Sequence, residues 1–300
     1  MRTRVPISIF LAAIGLLASP DLFARVKIEA GKGNFVFVDE KGDKSKPIRV
    51  YYYAPTKLAT NSRVVFVLHG MGRNGEVYRD GWAKHADKYN FLVLCPEFPE
   101  RDWPGFWGYY FGNVYNKKWE LIEKSKWGYS VIEHLFDYVK ECRKMRVENY
   151  CIFGHSAGAE FVHRMVIFFP EARISLAIAA NAGRYTMPDF DVPLWSGIKH
   201  TIVTKKSLKA AFEKNLIIML GKKDTIPRDE TELERKQGRH RLEKGLNFLE
   251  FSKAQAESMQ AEFNWRTRII AGAGHNSRRL SEVGSRLISK SKKNPRGKKT

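Results

Sequence analysis

Apolar residues follow two alternating rhythms along this chain. Short unbroken apolar runs, of the kind buried on both faces of a parallel sheet, lie at residues 63–68, 91–95, 150–153, 174–180 and 216–220, with a last at 268–271. Between them apolar positions recur at helical spacing, around 77–89, 129–144 (Val131, Leu135, Val139), 160–169 (Val162, Met165) and 246–263. Ahead of these, segments 34–39 and 48–54 are β-rich and flank the polar turn Lys41-Gly42-Asp43-Lys44, so they read as an antiparallel hairpin. The alternation predicts one α/β domain: a mostly parallel sheet of about eight strands, helices on both faces, and a working edge at the carboxyl ends of the strands. Residues 198–212 read as a small lid-like excursion, and no internal repeat is present.

Charge changes this picture at the ends. The formal net charge is +20. Part of it sits in 290–300, which has no apolar periodicity and reads as a basic, disordered tail. The rest is scattered, as at Arg25, Lys27 and 235–244. Such a field steers a protein towards polyanions or anionic cell surfaces. No nucleic-acid-binding motif accompanies it, so a solvated basic face is the simpler account. At the other end, Arg2 and Arg4 precede an apolar run over 5–18, too short to span a bilayer comfortably. We read 1–24 as an export signal ending at Ala24, with an uncleaved anchor as the alternative, and 25–289 as the folded domain. Export implies a periplasmic or extracellular location. There Cys95, Cys142 and Cys151 could supply one disulfide and one free thiol, although Cys95 and Cys151 lie in strand-like runs where cysteine acts as a small hydrophobe. No cysteine or histidine spacing suggests a metal.

The candidate chemistry centres on Gly154-His155-Ser156-Ala157-Gly158, where a buried strand turns into a helix. A serine on such a turn takes strained backbone angles, which requires small neighbours, and its hydroxyl projects at the positive end of the next helix. An oxyanion formed there would meet the N–H of Ala157. A second donor, the N–H of Met71, comes from His69-Gly70-Met71-Gly72 after the first buried strand. The same stretch, Gly70 to Gly75, also fits a G-x-G-x-x-G dinucleotide fingerprint, with Glu97 at ribose-acid distance. The hairpin preceding it argues against that reading, because the fingerprint usually opens its domain. A serine needs a base, and the base needs an orienting acid. Asp224 follows the strand at 216–220 and His275 follows the last strand, in the order serine, acid, histidine. Asp189, Asp191 and Asp229 are alternative acids. His69 and His155 read as loop-shaping or lining residues, and His85, His134, His163, His200 and His240 as helix or surface residues.

Specificity candidates are aromatic. Loop 101–119 carries Trp103, Trp107 and Tyr110 among other rings, with glycines that disfavour a regular helix. Segment 181–195 adds Arg184, Tyr185 and Trp195. We read Trp103, Trp107, Tyr110, Tyr185 and Trp195 as a flat-faced wall beside the serine, or else as a loop core. Basic stretch 235–241 is either a solvated helix start or a rim for acidic groups.

Taken together, His69-Gly70-Met71-Gly72, Gly154-His155-Ser156-Ala157-Gly158, Gly221-Lys222-Lys223-Asp224 and Gly274-His275 resemble the α/β-hydrolases, more narrowly the secreted poly(3-hydroxybutyrate) depolymerase-like and feruloyl-esterase-like enzymes. The resemblance covers about 48–277, although Met71 stands where that family often has cysteine. It implies Ser156 as nucleophile, His275 as base, Asp224 as orienting acid, Met71 and Ala157 as oxyanion donors, no cofactor and no metal, and an ester substrate, small or polymeric. Amide hydrolysis by the same groups, and a non-catalytic protein binding glycans or aromatic polymers, are the alternatives.

Overall fold

The computed structural model describes residues 26–227 and 231–291. The segment 1–24 read as an export signal, the tail beyond Ser291, and Asp229 lie outside them. Eight strands form a single sheet in the order β1-β2-β4-β3-β5-β6-β7-β8. The entry hairpin is β1 (Gly31–Phe37) against β2 (Ile48–Ala54), antiparallel with Phe35 opposite Val50. β2 is also antiparallel to β4 (Phe91–Glu97). All the other pairings are parallel: β3 (Arg63–Leu68) with β4 and with β5 (Tyr150–His155), then β6 (Ile174–Ala180), β7 (Leu216–Gly221) and β8 (Arg266–Ile270). The chain leaves β3 towards β4 on one side, then returns to lay β5 on its other side. That reversal opens a crevice at the carboxyl ends of β3 and β5.

Strand alternation divides the interior into two cores. Val65, Val67, Phe153 and Ile178 face α1 (Gly75–Tyr89) and α7 (Ser277–Lys290), meeting Trp82, Leu280 and Ile288. Val64, Phe66, Leu68 and Ile152 face the opposite layer, built from α2 (Gly128–Arg143), α3 (Ala157–Phe168) and α6 (Arg241–Ser258). Helix α3 is buried along its whole length, because it lies over the sheet and under the aromatic loop. The segment read as a lid contains α4 (Lys205–Phe212), capped by Thr204; its Leu208, Ala211 and Phe212 are fully buried, so its apolar face belongs to the core and not to a mobile cover. Helix α6 begins earlier than its apolar rhythm suggests, since His240 caps it by accepting the Glu243 N–H. The intervening α5 (Glu232–Lys236) is a single capped turn and a half. The three cysteines are unbridged, with Cys95 and Cys151 buried in the α1/α7 core.

Candidate active site

Ser156 occupies the sharp turn between β5 and α3 with φ 55° and ψ −116°, a conformation L-residues avoid. Close backbone approach makes the turn possible. A Cβ on Gly154 would stand 2.1 Å from the Gly158 carbonyl oxygen, and one on Gly158 would stand 2.4 Å from that of Leu68. Backbone atoms cannot step aside, so only glycine fits at either place.

Two later loops converge on that serine. The His275 Nε2 lies 3.2 Å from Ser156 Oγ, and its Nδ1 lies 2.8 Å from Asp224 Oδ2. Asp224 is 2% exposed and its other oxygen accepts from Arg241 Nη1 at 3.1 Å. Burial alone would raise the Asp224 carboxyl; the His275 hydrogen bond and the Arg241 charge outweigh it and hold the carboxyl below the usual aspartate value. An ionised Asp224 accepts the Nδ1 proton, which leaves the Nε2 lone pair facing the serine. Asn181 binds the two late loops together: its Oδ1 accepts the Gly221 N–H and its Nδ2 donates to the Gly274 carbonyl. Neither Asn181 nor Arg241 announces itself in the sequence, because each acts on a partner distant along the chain. The rival acids sit elsewhere: Asp189 accepts the N–H of Asp191 in a local turn.

The glycine-rich loop after β3 lies on the serine's other side, where a Cβ on Gly70 would come within 3.6 Å of the Ser156 Cβ. His69 is fully buried and burial pushes it down to about 3, so it is neutral. Its Nε2 accepts the Phe98 N–H, so Nδ1 carries the proton and donates to the Gly70 carbonyl at 2.8 Å. Arg73 N–H reaches the same carbonyl. In a trans peptide the Met71 N–H points opposite to that carbonyl, so two bonds on Gly70 orient the Met71 amide. The Arg73 guanidinium braces the loop from below, donating to the carbonyls of Phe98 and Trp103 and lying 4.6 Å from the Tyr109 ring centre. Glu97, the ribose acid of the dinucleotide pattern, is occupied by the Gly75 N–H at 2.8 Å.

Of the proposed aromatic wall, Trp107 and Trp195 line one hollow of about 560 Å³ with Phe106 and Arg184, above the buried Arg164; Tyr185 borders it but is a correction, 0% exposed and stacked on Phe248 in the core. Trp107 and Trp195 are in contact, ring centres 4.0 Å apart. Arg164 is eight residues beyond Ser156 on α3, about 12 Å along the helix at 1.5 Å per residue. Trp103 is a correction: it is 1% exposed, packed edge-on against Phe98 as part of the core beneath the loop. Tyr110 is half-buried beside that hollow, and its carbonyl accepts from Arg164. Phe106–Tyr110 forms a single π turn and no regular helix.

A strained serine between strand and helix, joined through histidine to a buried aspartate at the carboxyl edge of this sheet, defines an α/β-hydrolase. The chain belongs to that family: it is similar over 87% of its length to poly(aspartic acid) hydrolase-1 from Sphingomonas sp. KT-1, at 36% identity and TM-score 0.84, covering 99% of that chain. A poly(3-hydroxybutyrate) depolymerase from Bordetella parapertussis superposes with TM-score 0.84 at 26% identity over 89% of this chain and 92% of its own. Among curated proteins, "Probable acetylxylan esterase A" of Aspergillus clavatus is 24% identical over 147 residues, 46% of this chain. The match spans 43% of that protein, less than half its length. No protein-family model matches the chain.

Proposed function

We propose that this protein is a serine hydrolase that cleaves carboxylic esters through an acyl-enzyme. The observation that carries the reading is the hydrogen-bonded chain from Ser156 Oγ through His275 to Asp224. As Ser156 attacks the ester carbonyl, His275 Nε2 takes its proton, and the imidazolium that forms is stabilised by Asp224. The amides of Met71 and Ala157 receive the oxyanion. His275 then returns the proton to the leaving alcohol, and a water deacylates Ser156 by the same route in reverse. The hollow lined by Trp107 and Trp195 suits a flat or apolar substituent beyond the scissile bond, in keeping with a polyhydroxyalkanoate- or feruloyl-type ester. Export through 1–24 and association of the basic tail with anionic surfaces belong to the same proposal.

A second reading has specific support. The relative sharing 36% identity is a poly(aspartic acid) hydrolase. A cleft of about 780 Å³ beside the base, reaching Gly274 and Asn276, is lined by Lys84, Arg268, Arg278, Arg279 and Arg286 with Glu282 as its acid. Cleavage of amide bonds in a polycarboxylate fits both facts, the cations holding the substrate's carboxylates. Wild type and Ser156→Ala are to be treated with a fluorophosphonate probe, then with p-nitrophenyl esters and poly(aspartic acid). Labelling and turnover confined to wild type are expected, and polymer cleavage falling steeply with salt would select the second reading. Undiminished turnover in Ser156→Ala would refute both.

A further inference from the structure

Beneath the site lies a buried chain of hydrogen bonds that the reaction itself does not use. His155 Nε2 is 2.6 Å from the carbonyl oxygen of His275, and its Nδ1 is 2.7 Å from Tyr78 Oη, which is 3.1 Å from the Gly70 nitrogen. Proton positions follow from chemistry. A carbonyl oxygen only accepts, so His155 Nε2 carries hydrogen. Burial pushes this imidazole down to about 4, so the ring is neutral and Nδ1 has a free lone pair. Tyr78 must then donate to Nδ1, and its oxygen accepts the Gly70 N–H. Every link runs in one direction, an arrangement in which neighbouring bonds polarise and strengthen one another. Tyr78 is 8% exposed and His155 6%, so water does not replace a lost link cheaply.

Both ends of this chain belong to the proposed machinery. One end holds Gly70, whose following peptide bears the Met71 amide. The other holds the main chain of His275, whose ring sits over that of His155 with centroids 4.8 Å apart. We infer that Tyr78 and His155 are positioning residues, a strut that sets the oxyanion loop after β3 and the base loop after β8 at a fixed separation about Ser156. These loops have no strand in common, since β3 and β8 are separated in the sheet by β5, β6 and β7. Helices α1 and α7, which follow the two loops, also pack in one core, but the strut bonds the main chains of the loops themselves, so without it small errors between them add. The inference rests on the serine-hydrolase reading for its catalytic consequence, but not for its geometry.

The experiment uses the full chain in wild type, Tyr78→Phe, His155→Leu and His155→Gln. Steady-state rates on p-nitrophenyl acetate, affinity for phenylboronic acid, thermal midpoints and imidazole ¹⁵N NMR are measured on each. A misplacement of about 1 Å costs on the order of 10²-fold in rate. We therefore expect kcat to fall about 10- to 100-fold in Tyr78→Phe and His155→Leu, with KM within about threefold. The boronic acid, which mimics the tetrahedral state, weakens in parallel. His155→Gln keeps an N–H for the His275 carbonyl and recovers part of the loss. Folded Tyr78→Phe and His155→Leu with kcat and boronate affinity unchanged, whatever their midpoints, would overturn the inference. Wild type inert towards the fluorophosphonate would instead sink the hydrolase reading. In that event NMR still decides the strut, through a His155 ring protonated at Nε2 and a His275 ring resonance displaced in Tyr78→Phe; protonation at Nδ1, or an undisplaced resonance, overturns it.

Discussion

At the scale of single residues, Asp224 is held between two donors, His275 Nδ1 and Arg241 Nη1, and is almost fully enclosed. Asparagine would preserve its shape and reverse its chemistry. The side-chain amide can present N–H to His275, and the imidazole answers by moving its proton to Nε2, where it can no longer accept from Ser156. On the proposed mechanism Asp224→Asn lowers kcat by about 10⁴-fold with little change in KM. Stopped-assay rates on a p-nitrophenyl ester check this, and a loss under tenfold would mean the carboxylate does not set the tautomer. Lysines next to Asp224 in sequence make it resemble an ordinary charged turn; Arg241, the cation that does contact it, lies 17 residues on.

At the scale of elements, the β5–α3 junction depends on two backbones passing in contact. Gly158→Ala would drive a methyl group to 2.4 Å from the Leu68 oxygen and 2.7 Å from that of His69, so α3 must shift away from β3. We expect a loss of about 1–3 kcal/mol in denaturant unfolding, together with lost ester turnover, since the shift carries Ser156 with it. Helix α3 has a second dependency. Arg164 is fully buried and paired one turn apart with Glu160 at 3.0 Å; it also donates to Thr186 and to the Tyr110 carbonyl. Replacing it by methionine keeps much of the volume but leaves Glu160 buried without its cation. Arg164→Met is expected to cost about 3–5 kcal/mol, read as a fall of roughly 10 °C in the thermal midpoint. A midpoint within about 2 °C of wild type would mean that Glu160 is not left as an uncompensated buried charge.

At the scale of the whole molecule, stability and pH are linked through buried neutral histidines. His69 and His155 are pushed by burial from an ordinary 6.5 to about 3 and about 4, and His163 well below its ordinary value. Between those values and 6.5 the unfolded chain binds more protons than the folded one, so unfolding free energy rises with pH across that interval. Their contribution is complete above about 6.5 and is lost as pH falls towards about 4. Asp224, and Asp137 on α2, which against the effect of its burial accepts from the Arg173 guanidinium at 2.6 Å, are both held below the usual carboxylate value and add a further loss as pH falls through their folded values. Thermal midpoints by circular dichroism should therefore be flat near pH 7 and decline steadily below about 6.5. A midpoint constant down to pH 4.5 would contradict the buried-neutral assignment.

The amino-acid pattern by itself determined whatever depends on neighbours a few residues apart. Alternating apolar rhythms dictate strands and helices, and Gly154, Ser156 and Gly158 dictate a tight turn. The places of Asp224 and His275, each just after a late apolar run, follow from strand order alone. Tertiary structure decided which side chains meet. Arg241 on Asp224, Asn181 bridging Gly221 and Gly274, and His155 beneath a carbonyl 120 residues away all depend on how crossovers stack on the sheet. Trp103 and Trp107 share one loop and one composition, yet one is core and the other faces a hollow. Local sequence sets backbone preference and amphipathic face, whereas burial and partnership are properties of distant segments brought together, and a single strand of text carries no distance between them.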